Sequence, residues 1–187
     1  MISYLGNSII FISLVLTISF YLNLLRKIIP STTLSLKLIY SINLIPFVLL
    51  VYAFSISDFT LLNVVENSYV DDPIFYKVTS AWGSHEGSIL LWVFLINLFG
   101  GFFLYKNQTV EIHKNILFIS TLFILYVVIS SNPFTHVEAN ENVLGLGLNP
   151  ILQHFLFVIH PPTLFLGYIG LIIPFVISAH MLSLIHI

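Results

Sequence analysis

Five stretches of this chain are each long and apolar enough to cross a lipid bilayer, and that settles its class before any single residue is considered. A helix needs about 20 apolar residues to span the hydrocarbon core. The stretches run from about Gly6 to Leu25, Leu36 to Ile56, Trp82 to Tyr105, Asn115 to Ser131 and Pro161 to Leu184. Inside lipid every backbone N–H and C=O must find an internal partner, so each stretch reads as an α-helix. Pro46 and Pro174 are expected to bend the second and fifth, as neighbouring helices can re-satisfy a freed carbonyl. With 58% hydrophobic and only 7% charged residues, the chain could not present a wettable surface, since soluble domains carry roughly 25% charged residues. The expectation is an all-α integral membrane protein of about five transmembrane helices, with residues 1–187 as one membrane domain. An odd helix count with no soluble domain points to one part of a larger helix bundle. No charged segment precedes the first apolar run and no small-residue cleavage site follows it, so that run reads as a retained helix.

Orientation follows from the basic residues. Arg26, Lys27 and Lys37 lie between the first two helices, and Lys106 and Lys114 between the third and fourth. Five of the six basic residues therefore share one side, which the positive-inside rule assigns to the cytoplasm or matrix. The N-terminus then faces outward and the C-terminus inward. Two long loops, about residues 57–81 and 132–160, face outward. They hold Asp58, Glu66, Asp71, Asp72, Glu138 and Glu141 but a single cation, Lys77.

Several chemistries are excluded. The chain has no cysteine, so it forms no disulfide and binds no iron–sulfur cluster. A net charge of −2 leaves no polybasic surface for nucleic acid. What remains is histidine, of which there are seven. His113 falls in the short charged inner loop and reads as solvated. His180 and His186 fall near the inner end of the fifth helix, at the headgroups. His85, His136, His154 and His160 lie on or near the outer side.

His160 precedes two prolines at the mouth of the fifth helix, in the run NPILQHFLFVIHPPTLFLGYIG (149–170). Proline has no N–H to donate and a φ suited to a helix start, so His160 reads as the N-cap or the residue just before it. The positive end of the helix dipole disfavours an imidazolium there, and a neutral imidazole is the form that ligates iron. His160 either simply caps the helix or offers its ring to a metal. His85 and Glu86 sit in WGSHEGSILLW (82–92), about one turn inside the third helix, where ionisable residues face a bundle interior or lie in the headgroup layer. Trp82 marks the outer mouth of that helix, where tryptophan commonly forms an interfacial belt. The loop from Asn132 to Gln153 is rich in turn residues yet carries Leu144, Leu146 and Leu148, so it either lies on the membrane surface or covers an apolar ligand.

Three blocks together resemble CcmF, the membrane subunit of cytochrome c haem lyase. WGSHEGSILLW (82–92) is similar to the family's WGGHEGSLLLW, with Ser84 in place of the second glycine. Asn132-Pro133-Phe134 is similar to its NPF block. GLNPILQ (147–153) followed by HPPTLFLGYIG (160–170) is similar to GLNPLLQ and HPPxLYxGYxG, in the same order and at similar gaps. The likeness is strong over residues 80–175 and weak over the first two helices.

The resemblance implies that the chain helps to hold haem (haem b as substrate) at the outer face for covalent attachment to the CxxCH cysteines of apocytochrome c. His160 is implied as an axial ligand of the haem iron, with Trp82, His85, Pro161 and Pro162 beside the cofactor; no catalytic residue is assigned. The family's tryptophan-rich loop, the second outer histidine after it and the histidines of its intramembrane haem are missing here, and His136 stands where the family has an arginine. Lys77 is the one outer cation available to two haem propionates, and unpaired buried carboxylates are costly. The implied partners are therefore other CcmF-like fragments carrying those elements, a haem chaperone, apocytochrome c and membrane lipid. The chain would be part of a lyase, inactive alone, in the mitochondrial inner membrane, or the bacterial inner membrane if not organellar. Two alternatives are a proton-translocating or structural respiratory subunit, against which the absence of mid-helix Lys or Glu in four of the spans counts, and a scaffold that binds no haem.

Overall fold

The computed structural model describes residues 1–26, 32–106, 109–138 and 143–185. Lys27, Glu141 and His186 lie outside the described residues. Those described form eight α-helices: α1 (Ile2–Leu25), α2 (Thr32–Ser55), α3 (Leu62–Asn67), α4 (Ile74–Gly83), α5 (His85–Lys106), α6 (Val110–Ser130), α7 (Phe155–Gly170) and α8 (Ile172–Ile185). Among the described residues, five spans are long and apolar enough to cross a membrane: α1, most of α2, α5, α6 and the stretch Val158–Leu184 that runs through α7 and α8. The protein is thus an all-helical, multi-pass membrane protein, as its apolar runs predict. The break between α7 and α8 falls at Leu171. Pro174 has no N–H for the carbonyl of Gly170, and the Leu171 N–H turns back to Tyr168 O at 3.2 Å.

Helix α5 is central and packs against α2, α4, α6 and α7, while α1 closes the far side against α2 and α6. Half of the most apolar stretch of α5 is buried, against 11% for the last span. The last span therefore leans on the bundle by one edge and leaves most of its surface uncovered.

Polar side chains pin the bundle at mid-depth. Asn43 on α2 donates to Thr17 Oγ1 on α1 (3.1 Å) and to Asn97 Oδ1 on α5 (3.0 Å). Asn97 in turn donates to Ser120 Oγ on α6 (2.8 Å) and to its own helix at Val93 O. All four residues are buried. In hydrocarbon a hydrogen bond between helices fixes their rotation, because the alternative is an unsatisfied polar group.

The sequence places the start of the fourth span at Asn115; the helix begins at Val110. The charges that suggest a loop there pair on the helix surface instead, Lys114 with Glu111 one turn earlier, and Glu111 sits in the first turn, where the dipole favours it. This adds a turn to α6 and draws His113 into the bundle. The loop over 57–81 is also more ordered than its composition implies, since α3 and α4 occupy most of it.

Candidate functional site

His160 is not the cap of its helix. Helix α7 begins at Phe155, and His154 is the N-cap, its Nδ1 accepting from Leu156 N (3.3 Å). His160, Pro161 and Pro162 lie more than a turn inside. The run FLFVI ahead of the prolines is wound into the helix, its first turn capped by His154. The dipole of a helix end fades within its first turn, so it does not act on a ring placed this far in.

Two prolines inside a helix leave two carbonyls, those of Phe157 and Val158, without their i+4 donors. A side chain from another helix meets the second: Trp82 Nε1, at the end of α4, donates to Val158 O at 3.1 Å. Thr163 closes the same turn from within, its hydroxyl lying 3.1 Å from Ile159 O and 2.9 Å from His160 O. Helix α4 grips the approach to α7 at two further points. Tyr76 Oη donates to Gln153 O (2.9 Å), and Gly83 leaves room for Leu148 and Leu152. Below them, Trp92 on α5 stacks with Phe123 of α6 (ring centroids 5.4 Å) and meets Phe165 of α7 edge-on at 5.4 Å.

These contacts set the rotation of α7. Val158 and Ile169 are buried and Phe165 is half-buried against the bundle, whereas His160, Thr163, Leu164 and Gly167 are exposed. At 3.6 residues per turn the last four share a stripe. Nothing lies within 4 Å of where a Gly167 side chain would sit. His160 thus occupies the uncovered face of the span, third residue in from its start at Val158, with small neighbours that leave room for a flat partner.

His85 is held from another side. The helix expected to start at Trp82 is broken at Ser84, which caps α5 by accepting from Gly87 N (3.0 Å). Serine is at least as good a cap as the glycine it replaces. His85 is the first residue of α5 rather than one turn inside, exposed, with Nδ1 3.3 Å from Ser131 Oγ. Glu86 lies in that first turn, stabilised by the dipole. Among the outer candidates the structure brings Trp82 to the backbone just ahead of His160, while His85 belongs to the α5–α6 corner.

The remaining histidines are placed by their partners. His136 is exposed, bridged to Leu61 and tilted over the Tyr4 ring at 5.6 Å. The adjoining Asn132-Pro133-Phe134 block docks on α1: Ser3 Oγ and Asn7 Nδ2 both donate to Phe134 O (2.8 and 2.9 Å), and the buried Phe134 ring rests on Gly6. His113, read from the sequence as solvated, is fully buried and bonded to Tyr40. The Nδ1 of His180, placed by the sequence among headgroups, is enclosed without a hydrogen-bond partner among the described residues.

No three of His, Asp or Glu gather into a metal set among the described residues. The site offers one exposed imidazole on an apolar stripe, which suits a single axial position of an iron porphyrin. Lys77 Nζ donates to Val70 O at 2.6 Å, which tethers the side chain and leaves two of its three N–H groups for other acceptors. Sequence reasoning missed the Tyr40–His113 pair and the asparagine network. A polar residue recurring inside each apolar run was the available signal. It also missed the role of the Trp82 indole N–H, for which the two prolines were the clue.

Residues 82–186 match the Cytochrome C assembly protein family. Over 135 residues the chain is 42% identical to the cytochrome c-type biogenesis protein CycK of Bradyrhizobium diazoefficiens, covering 69% of this chain and 20% of that protein. It is 39% identical over 137 residues to the cytochrome c-type biogenesis protein CcmF of Haemophilus influenzae, covering 70% of this chain and 21% of that one. The solved structure of Cytochrome c Heme Lyase CcmF shares the fold, with a TM-score of 0.73 over 94% of this chain and 29% of that one at 22% identity. The chain spans about a fifth of the length of the curated relatives it matches.

Proposed function

The chain belongs to the Cytochrome C assembly protein family, and on that footing we propose that it is a haem-handling subunit of a cytochrome c haem lyase, with His160 as one axial ligand to the haem iron. The observation that carries this reading is the position of His160 on the uncovered stripe of a span whose rotation Trp82 and Phe165 fix. A ring turned toward its own bundle could not meet a porphyrin; one turned outward beside Thr163 and Gly167 can.

The same geometry favours completion by other polypeptide. Only 11% of the most apolar stretch of the last span is buried, so its outward face is open to further polypeptide. In this reading, CcmF-like segments on one or more partner chains cover α7 and α8, bring the second axial ligand and supply the cations for the propionates. A haem chaperone and apocytochrome c are the other partners, and the compartment is the mitochondrial inner membrane, or the bacterial inner membrane if the chain is not organellar.

Bound haem supplies vinyl groups, across which cysteine S–H bonds add to give thioethers without a leaving group. The protein's part is to hold and orient. His160 presents a nitrogen at a fixed depth. The exposed Leu144 and Leu146 exclude water from the apolar cofactor. His85 and Glu86 shape the neighbouring corner and move no proton. The chain is not active alone.

The test is to purify the chain with its partners and compare haem absorbance between the native complex and His160→Ala. The reading requires haem loss by about tenfold or more, as removing a shell that merely supports a ligand already costs that much. Full haem content in His160→Ala would leave a scaffold that binds none.

A further inference from the structure

We infer that Trp82 is a positioning residue whose indole N–H replaces the backbone donor removed by Pro162, holding the turn of α7 that carries His160; the inference rests on the reading of His160 given above. Val158 is buried. In an unbroken helix its carbonyl would accept from the amide four residues on, which here is Pro162. Proline has none, and an unpaired carbonyl in an apolar setting is costly enough to twist or melt the turn. Trp82 Nε1 sits 3.1 Å from that oxygen. Indole has one N–H and no acceptor, so this bond uses its whole polar capacity. Trp82 therefore contributes a donor to the backbone, and its place near the cofactor follows from that bond.

The arrangement explains why the two blocks occur together. A diproline after His160 loosens the helix where the ligand must be steady, and the tryptophan at the end of α4 restores the missing bond from outside. Helix α4 is a suitable anchor. Tyr76 ties it to Gln153, Gly83 seats Leu148 and Leu152, and its end is held by the short step into α5, where Ser84 caps the central helix. Movement of α4 relative to α7 would thus be felt two residues from His160, at Val158.

The experiment exploits the chemical equivalence of the two donors. Trp82→Phe keeps an aromatic ring and removes the N–H; Pro162→Ala restores a backbone N–H aimed at Val158 O. Four forms of the chain in complex with its partners, native, each single variant and the double, are compared for haem content and for amide hydrogen exchange over residues 154–165. His160→Ala serves as reference. Trp82→Phe should speed exchange in that segment by about tenfold, the scale of one lost buried bond, and lower haem occupancy. Adding Pro162→Ala to Trp82→Phe should return both most of the way. A double variant as impaired as Trp82→Phe, or worse, overturns the inference, because the tryptophan would then act through bulk alone. If His160→Ala loses haem while Trp82→Phe does not, the positioning role fails and the ligand stands. If exchange shows the rescue but His160→Ala keeps its haem, the clamp stands and the ligand reading falls.

Discussion

The hydroxyl of Tyr40 on α2 and Nδ1 of His113 on α6 lie 2.9 Å apart, with both side chains sealed inside the bundle near its basic end. The two residues are 73 positions apart in sequence. Gly100 makes the contact possible, since a side chain there would press into the Tyr40 ring, and Phe103 covers the imidazole at a centroid distance of 6.0 Å. A histidine in a charged segment is thereby turned into a structural tie between α2 and α6.

Replacing His113 by alanine should therefore be harmful. It strands the Tyr40 hydroxyl in an apolar setting and opens a cavity, together about 2–4 kcal/mol of stability. Tyr40→Phe should cost about 1 kcal/mol, and the double variant should cost less than the sum because the residues share one bond. Thermal unfolding in detergent reads this out. A melting temperature for His113→Ala within error of the native value would show that the imidazole is solvated after all.

The asparagine network predicts a second coupling. Asn97→Ala leaves Asn43 Nδ2 and Ser120 Oγ short of partners at mid-membrane, and should cost about 1–2 kcal/mol. Asn43→Ala in that background should cost less than it does in the native chain, the remainder being its bond to Thr17. Additive losses in the same unfolding assay would mean that the two amides act independently.

Gly6→Ala tests how the Asn-Pro-Phe block is docked. A Cβ at Gly6 would lie 2.3–2.6 Å from three atoms of the buried Phe134 ring, too close for contact unless something shifts. Overpacking of this kind costs about 1–3 kcal/mol and should expose the segment around residues 132–138 to protease. Gly167→Ala, with open space around it, is the control and should cleave at the native rate. Equal protease resistance in both variants would contradict the packing.

Topology can be mapped cleanly because the chain has no cysteine of its own. Single substitutions Glu138→Cys and His154→Cys, at the loop-rich end, should react with an impermeant thiol reagent from outside. Arg26→Cys and Lys106→Cys, at the basic end, should react only after the membrane is opened. Labelling of His154→Cys from the matrix or cytosolic side would invert the proposed orientation and detach His160 from outward haem delivery.

Much of this protein was determined by its sequence alone. The number of spans, the basic end, the helix break before Pro174 and the turns at Asn-Pro are local properties. Apolar length, absent N–H groups and capping side chains act within a few residues of themselves, so they can be read without knowing what lies alongside. Only the tertiary structure decided where the polar residues go. His113 looks solvated beside Glu111 and Lys114 until Tyr40 arrives from another helix. His160 looks like a cap until an apolar run ahead of it winds first and Trp82 meets the carbonyl that Pro162 abandons. In lipid a polar group is stable wherever it finds a partner, and the partners here are 73 and 76 residues away, a distance that no local pattern encodes.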